Sequence, residues 1–316
     1  MLRRNERLYV AINQLEFRLL LHGMKKHVII LGGKTGLLGQ ALAAEYQAAG
    51  YTVHAPLRTD FDTLNSAQLA KHIDSIEPEI VINAIGYTHV DQAEKNTDEA
   101  YAVNTTSCET LAEVLSTRPV RCISFSTDYI FSGQNDTPYT EKDIPNPRNV
   151  YAKTKLLGEY ALLDRIADKT MILRTAWLFG LHKANFVSTI TALSRQKKEL
   201  PVIADQVGSP TSTHDLARAC LTLSATETNG VYHITNSGTA SWYELAQAAV
   251  TLAGHPDNIV PIRTADYNQQ APRPAYSALS TDLLTLNTGI TMRPWKESLA
   301  EYVYASSQKE ITHANF

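Results

Sequence analysis

A tyrosine and a lysine four residues apart are the side chains of this sequence best suited to chemistry. Tyr151 and Lys155 lie in the run YAKTK at residues 151–155, and on a helix this spacing places both side chains on one face, one turn apart. A nearby ammonium group favours the phenolate, so we expect Lys155 to lower the pKa of Tyr151 from its usual value of about 10. A pKa of about 7 would require about 4 kcal/mol, at about 1.4 kcal/mol per unit. The pair suits proton transfer, but the same spacing is common on ordinary amphipathic helices, so the surrounding elements must decide.

A strand, a glycine-rich turn and a helix begin the predicted fold. Residues 28–31 (VIIL) predict a buried parallel strand, residues 32–39 a turn, and residues 40–49 a helix. Three glycines in the turn have the spacing G-x-x-G-x-x-G: Gly33, Gly36 and Gly39. Small residues allow the backbone to approach a pyrophosphate, and a helix N-terminus offers free N–H groups and the positive end of a dipole. This context predicts a dinucleotide-binding turn.

The tip of the second predicted strand bears on the choice of cofactor. Residues 51–55 predict this strand, and Pro56-Leu57-Arg58 follows it. No carboxylate stands at the tip to repel a 2′-phosphate, and Arg58 can pair with one. We therefore expect NADPH, with NADH as the alternative. Asp62 lies in the following loop, where the adenine would be held.

Further apolar runs predict the rest of a parallel sheet. Residues 80–82, 122–125, 172–174 and 231–234 each predict a strand, and helical segments separate them. Thr127 follows the strand at 122–125, where its hydroxyl would face a ligand at the carboxyl end of the sheet. The alternating units predict an α/β fold with a doubly wound parallel sheet of the Rossmann type.

Composition excludes several classes of function. The 316 residues carry a formal net charge of −3, so no global basic field indicates a nucleic acid or membrane partner. Cys108, Cys122 and Cys220 are far apart and form no metal-binding pattern, as is typical of a protein of the reducing cytoplasm. No apolar run has the length of a membrane span. Polar residues interrupt residues 1–23, which we interpret as an N-terminal extension outside the fold rather than a signal peptide.

Several short motifs resemble the dTDP-4-dehydrorhamnose reductase family of the extended short-chain dehydrogenases/reductases. The resemblance covers essentially all of residues 24–316 and rests on motifs that occur in family order: Gly33-Lys34-Thr35-Gly36, Asn83-Ala84, Val90-Asp91-Gln92-Ala93-Glu94, Ser126-Thr127-Asp128-Tyr129, Val150-Tyr151 with Lys155, Asp205-Gln206, and Arg273-Pro274 through Ser277. It implies a Rossmann-type NADP-binding domain at 24–175 and a smaller, mainly substrate-binding region at 176–316. Some elements of that region, at about 213–235, would return to the Rossmann sheet.

The resemblance also implies roles for individual residues. Tyr151 would donate the proton, Lys155 would hold the nicotinamide ribose and tune Tyr151, and Thr127 would bind the reacting oxygen. Besides Tyr151 and Lys155, the implied cofactor-binding residues are Gly33, Lys34, Thr35, Gly36, Leu37, Leu38, Gly39, Arg58, Asp62, Thr63, Ala84, Ile85, Gly86, Tyr87 and Thr88. The implied substrate-binding residues are Thr127, Asp128, Tyr129, Trp177, Asn185, Gln206 and Arg273.

The implied reaction is the NADPH-dependent reduction of the C4 ketone of dTDP-4-dehydro-β-L-rhamnose to dTDP-L-rhamnose, for a cell-surface polysaccharide. We expect a cytoplasmic enzyme without a resident metal in its site. Some relatives carry a carboxylate where this chain has Gln40-Ala41-Leu42. A magnesium-bridged dimer is therefore in doubt, and both a magnesium requirement and a homodimer are left open.

Two alternatives remain at this stage. A related reductase of dihydrostreptose-forming or talose-forming type would keep the fold and the three catalytic residues but change the sugar. A non-catalytic NADP-binding subunit, like the regulatory subunit of methionine adenosyltransferase, has a similar fold. The presence of Thr127, Tyr151 and Lys155 together favours an enzyme.

Overall fold

Apolar runs form the strands at the centre of the protein. The structure is a computed structural model that describes residues 26–314, with side chains through residue 308, so the predicted extension at 1–23 lies outside the described residues. The described strands are β1 (His27–Leu31), β2 (Thr52–His54), β3 (Ile80–Asn83), β4 (Arg121–Thr127), β5 (Thr170–Thr175), β6 (Leu178–Phe179), β7 (Leu200–Ile203), β8 (Val207–Gly208), β9 (Thr211–Ser212), β10 (Gly230–His233), β11 (Ala240–Ser241) and β12 (Ile259–Ile262).

Helices alternate with these strands. The described α-helices are α1 (Leu37–Ala48), α2 (Ser66–Ile76), α3 (Val90–Ala93), α4 (Thr97–Tyr101), α5 (Ser107–Ser116), α6 (Val150–Ile166), α7 (Phe186–Ser194), α8 (Thr213–Ser224), α9 (Trp242–Leu252), α10 (Asp282–Thr288) and α11 (Trp295–Ala314). A π-helical segment, Ala102–Thr106, joins α4 to α5, and a 3-10 helix, Asp128–Ile130, follows β4. None of the described helices is long and apolar enough to cross a membrane.

Six of the strands form one parallel sheet in the order β10-β5-β4-β3-β1-β2. Each face of this sheet is covered by its own apolar core. Val28 and Ile30 of β1 pack on the face that also contacts α1 and α8, whereas Ile29 and Leu31 pack with α2, α5 and α6 on the other. The predicted doubly wound Rossmann-type fold is therefore confirmed.

The strand order creates a crevice at one edge of the sheet. β2 and β3 lie on opposite sides of β1, so the chain reverses its direction of winding between them. In such sheets a ligand binds at the carboxyl ends of the strands beside this switch point. The turn after β1 and the residues after β3 both end at this crevice.

The C-terminal half of the chain contributes to the same sheet. β10 pairs in parallel with β5, and α8 packs beside α1, where the Tyr46 hydroxyl lies 3.4 Å from the carbonyl oxygen of Cys220. Three small sheets, β7 with β12, β6 with β9 and β8 with β11, build the remaining part. The aromatic core beneath it contains Phe179, Trp295 and Tyr302.

One helical stretch is irregular. The π-helical segment interrupts the helical run from α4 to α5. In this segment the Asn104 side chain accepts from the Tyr87 backbone N–H at 2.8 Å and donates to the Thr154 hydroxyl at 2.9 Å. These partners lie on other elements, so the local sequence does not reveal the irregularity.

Candidate active site

Two adjoining clefts open at the carboxyl edge of the sheet. The first, about 600 Å³, lies at the ends of β1 and β3, and the second, about 470 Å³, lies at the ends of β4 and β5. They share a short border, formed by Gly36, Ala84, Ile85, Gly86, Thr88, His89 and Lys183. A ligand that spans the border would bring one end to Tyr151.

The glycine turn is shaped for close approach of a phosphate. Gly36 is the N-cap of α1, and no side chain caps the helix or places a carboxylate in its first turn. A Cβ atom on Gly36 would lie 2.8 Å from the carbonyl oxygen of Gly32, and one on Gly39 would lie 2.2 Å from the same atom. The glycines thus allow the turn to fold tightly, and the N-terminal N–H groups of α1 remain available to an anion. A dinucleotide pyrophosphate fits this arrangement.

The far end of the first cleft contains the residues expected to surround the adenosine. Arg58, Asp62 and Thr63 line it, together with Phe61. Arg58 is exposed, and the structure records no carboxylate partner for it among the described residues. The Asp62 carboxylate accepts from the backbone N–H of Leu64 at 2.9 Å, which stiffens the loop.

Hydrogen bonds from Asn104 support the wall of the first cleft that follows β3. Residues 84–88 line the first cleft. Asn104 bonds the backbone N–H and carbonyl groups of Tyr87, and its amide group also reaches Thr154 on α6. This network fixes the cleft wall relative to the helix that carries Tyr151 and Lys155.

Tyr151, Lys155 and Thr127 meet in the second cleft. α6 begins after Asn149, whose side chain accepts from the Ala152 N–H at 2.8 Å. Lys155 Nζ donates to the Phe125 carbonyl oxygen at 2.7 Å, and burial lowers the pKa of Lys155. Thr127 ends β4, and its side chain acts to lower the pKa of Tyr151.

The expected effect of Lys155 on Tyr151 is wrong. Burial raises the pKa of Tyr151 to about 12, the Thr127 side chain opposes this rise, and the charge of Asp128 adds to it. The Lys155 ammonium is directed to the carbonyl of Phe125 instead. The helical spacing was predicted correctly, but burial by neighbouring elements dominates the pKa.

A buried carboxyl group lies beside Thr127. Asp128 is only 3% exposed, and it accepts from the Ser277 hydroxyl at 2.5 Å and from the Thr127 hydroxyl at 3.2 Å. Burial raises the pKa of Asp128 to about 7 despite these hydrogen bonds. Asp128 therefore carries a proton for part of the time near neutral pH.

Three buried polar atoms of residues that line the second cleft have no hydrogen-bond partner among the described residues: Ser126 Oγ, Thr175 Oγ1 and Trp177 Nε1. Buried polar groups are nearly always hydrogen-bonded, so these three atoms are exceptions at residues that line the cleft, although the atoms themselves are inaccessible. Trp177 has a backbone φ of 47° and stacks on Trp242 with ring centroids 3.6 Å apart. Gly208 allows this placement, because a Cβ there would lie 2.4 Å from the Trp177 ring.

The remaining predicted site residues are distributed as follows. Thr35, Gly36, Leu37 and Leu38 line the clefts, whereas Gly33, Lys34 and Gly39 line neither of them. Asp128, Trp177 and Asn185 line the second cleft, and the Asn185 side chain also caps α7.

Three expected substrate-binding residues lie outside both clefts: Tyr129, Gln206 and Arg273. The buried Gln206 donates to the Thr264 hydroxyl at 3.0 Å. Arg273 pairs with Asp91, with Nη2 and Oδ2 2.7 Å apart. Neither cleft is lined by these three side chains, although the Tyr129 ring packs against the Tyr151 ring.

Several lining residues were missed by the sequence analysis. Phe125, Ser126 and Thr175 stand at the ends of β4 and β5, so their positions beside Thr127 could have indicated them. Lys183 and Phe186 reach the second cleft from the C-terminal half of the chain, and no local pattern marks them.

Comparison with known proteins agrees with this geometry. The family model described as the RmlD substrate binding domain matches residues 26–308. The chain is 36% identical over 287 residues to the dTDP-4-dehydrorhamnose reductase of Escherichia coli K12, covering 85% of this chain and 94% of the relative. The chain belongs to the dTDP-4-dehydrorhamnose reductase family.

Two further proteins are similar to this chain. The spore coat polysaccharide biosynthesis protein SpsK of Bacillus subtilis is 37% identical over 279 residues, covering 88% of this chain and 98% of the relative. The crystal structure of the Bacillus anthracis dTDP-4-dehydrorhamnose reductase in complex with NADP is similar with a TM-score of 0.86 and 34% identity, covering 89% of this chain and 100% of the other. The resemblance noted from the motifs is thus confirmed.

Proposed function

We propose that this protein reduces the C4 ketone of dTDP-4-dehydro-β-L-rhamnose with NADPH and forms dTDP-L-rhamnose. The observation that carries the proposal is the meeting of Thr127, Tyr151 and Lys155 in a cleft that adjoins the glycine turn. The names of the Escherichia coli and Bacillus anthracis relatives support the substrate, and the NADP complex of the latter supports the cofactor.

The first cleft fits a nicotinamide dinucleotide. The uncapped N-terminus of α1 would bind the pyrophosphate, and Arg58 would pair with a 2′-phosphate, which favours NADPH over NADH. Lys155 would hold the nicotinamide ribose. When bound, the nicotinamide supplies the hydride.

The chain itself supplies orientation and the proton. A pKa of about 12 keeps Tyr151 protonated at neutral pH, which is the form that donates a proton to the developing alkoxide. Thr127 would hold the carbonyl oxygen beside the phenol through its hydroxyl. Asp128, which lines the same cleft, offers a further hydrogen-bonding group.

A second candidate keeps the mechanism and changes the sugar. The dTDP-4-keto-6-deoxy-D-glucose reductase of Streptomyces niveus is 33% identical over 274 residues. Because the three catalytic residues do not determine which face of the ketone receives hydride, this relative supports a related dTDP-4-keto sugar as the alternative substrate. The identity of the product distinguishes the two.

The test is NADPH oxidation with dTDP-4-dehydro-L-rhamnose made in situ from dTDP-glucose, with the product identified by NMR. We expect turnover to dTDP-L-rhamnose. Tyr151→Phe removes the proton donor and should lower kcat by about 10²–10⁴-fold, while the Kd for NADPH stays unchanged. The control Lys153→Ala alters an exposed position of the same helix and should keep kcat.

The outcomes separate the candidates. A different reduced sugar would support the second candidate. Absence of turnover in the wild-type protein, with NADPH still bound, would overturn the enzymatic proposal and favour a regulatory subunit. A near-normal rate for Tyr151→Phe would contradict the role of Tyr151.

A further inference from the structure

A C-terminal segment, residues 269–277, contacts both elements that carry the catalytic groups. The Asn149 amide, at the N-cap of α6, donates to the Pro272 carbonyl oxygen at 2.9 Å. Ser277 donates to Asp128, the residue after β4, with the two oxygens 2.5 Å apart. The segment therefore spans the start of the Tyr151 helix and the turn after Thr127.

One carboxylate on α3 anchors this segment. Asp91 Oδ1 accepts from the backbone N–H groups of Gln270 and Ala271, at 3.0 and 2.9 Å. Asp91 also holds the Arg273 guanidinium with both of its oxygens, at 3.0 Å from Nη1 and 2.7 Å from Nη2. A two-point pair of this kind fixes the plane of the guanidinium as well as its position.

The fixed guanidinium reaches the neighbourhood of Tyr151 through one intermediate side chain. The Arg273 guanidinium lies beside the Tyr129 phenol, where its charge acts against the rise in the pKa of Tyr129 that burial causes. The Tyr129 ring packs edge to face on the Tyr151 ring, with centroids 6.1 Å apart and planes at 81°. Arg273 lines neither cleft, and its guanidinium faces Tyr129, the ring next to Tyr151.

We propose that Asp91 and Arg273 are positioning residues, which hold the Tyr151 ring through Tyr129 in the orientation that proton transfer requires. The inference rests on the proposed function for its catalytic consequence. Tyr151 is half-buried and its phenol must meet both Thr127 and the reacting oxygen. A displacement of about 1 Å at a reacting group can cost about 10²-fold in rate.

Three substitutions test successive members of this chain of contacts. Asp91→Asn keeps an oxygen for the two backbone N–H groups but loses the charge and the second acceptor for Arg273. Arg273→Met keeps much of the side-chain volume without the guanidinium, and Tyr129→Phe removes only the hydroxyl. We expect each to lower kcat by about 10–100-fold, with the KM for the nucleotide sugar and the Kd for NADPH changed less than about twofold.

A double variant and a matched control sharpen the test. Because Arg273 acts through Tyr129, Arg273→Met combined with Tyr129→Phe should be no slower than Arg273→Met alone. The control is the Arg118–Asp74 pair, which is also a two-point pair, with Nε and Nη2 at 2.6 and 2.8 Å from the carboxylate, and which joins α2 to the residues after α5. Asp74→Asn and Arg118→Met should leave kcat unchanged.

A readout independent of turnover is the ¹⁹F NMR signal of Tyr151 in protein labelled with 3-fluorotyrosine, assigned by its loss in Tyr151→Phe. We expect the signal to shift or broaden in Asp91→Asn and in Arg273→Met, and to remain in Asp74→Asn. This result would support the positioning role even if the wild-type protein reduced no dTDP sugar.

Two results would overturn the proposal. An unchanged kcat with a raised KM for the sugar in Arg273→Met would make Arg273 a ligand-binding residue. An unchanged ¹⁹F signal together with kinetics equal to those of the Arg118–Asp74 control would reduce the pair to a structural role.

Discussion

The fold changes the protonation of Asp128, which lines the second cleft. Its carboxyl is buried and its pKa is raised to about 7, whereas an unfolded aspartate titrates near about 3.9. The native state therefore binds more protons than the unfolded state between these two values. Stability contributed by this group is fully present below about pH 4 and is lost as the pH rises through about 7.

This linkage predicts a pH-dependent effect of Asp128→Asn. The loss across the titration amounts to about 4 kcal/mol at most, at about 1.4 kcal/mol per pKa unit. Because asparagine does not titrate, the variant should lose less stability than the wild type between pH 5 and pH 8. The measurement is urea unfolding at several pH values, with the free energy of unfolding of each protein compared.

The pKa of Asp215 is shifted in the opposite direction to that of Asp128, so Asp215 serves as a comparison. Burial acts to raise its pKa, but hydrogen bonds from Arg293, Ser298 and Asn236 outweigh burial, and the net pKa is lowered. Its contribution is therefore present above the unfolded pKa and is lost as the pH falls. Equal pH slopes for wild type and Asp128→Asn between pH 5 and 8 would contradict the linkage.

At the scale of elements, α6 is positioned by its close crossing of the π-helical segment. A Cβ on Gly158 would lie 2.2 Å from the Asn104 carbonyl oxygen and 3.1 Å from Cys108 Sγ. Only a glycine allows this approach, which in turn lets Asn104 reach Thr154 on the same helix. The crossing thus helps to place Tyr151 and Lys155 over the end of β4.

Gly158→Ala should destabilise the protein by about 1–3 kcal/mol, the usual cost of overpacking. Alanine favours a helix over glycine by about 1 kcal/mol, but the clash with a backbone oxygen cannot be relieved by a side-chain rotation, so we expect overpacking to dominate. Urea unfolding should show a lower midpoint with an unchanged m-value. Lys153→Ala, on the exposed face of α6, is the control, and an unchanged midpoint for Gly158→Ala would contradict the argument.

The elements also show what the sequence could predict and where it could not. β1 and β3 were predictable because strands buried on both faces are continuous apolar runs. Thr127 and the Tyr151–Lys155 spacing were predictable because a strand end and a helical turn are local features. The pairing of Arg273 with Asp91 was not predictable, because the two residues lie 182 positions apart and no local pattern reveals their contact.

At the scale of the whole molecule, distant parts of the chain meet at the border of the two clefts. Gln40 in the first turn of α1 donates to the Gly36 and His182 carbonyl oxygens, at 3.3 and 3.4 Å. Lys183 lines both clefts from the C-terminal half of the chain, and β10 from that half completes the sheet. A ligand at this border would touch segments that only the folded chain brings together, so its binding should stabilise the fold as a whole.

Arg58 provides the last prediction, because it links this stabilisation to the choice of cofactor. NADPH at about 100 times its Kd should stabilise the fold by about 2.7 kcal/mol, which corresponds to a rise in Tm of roughly 4 °C for a protein of 316 residues. If Arg58 binds the 2′-phosphate, Arg58→Ala should weaken NADPH about tenfold or more and leave NADH unchanged. The rise in Tm that NADPH gives to Arg58→Ala should then approach the rise that NADH gives to the same variant at the same concentration. The control Arg218→Ala, at an exposed position of α8, should keep the wild-type difference between the Tm rises with NADPH and with NADH. If Arg58→Ala also keeps this difference, another residue recognises the 2′-phosphate.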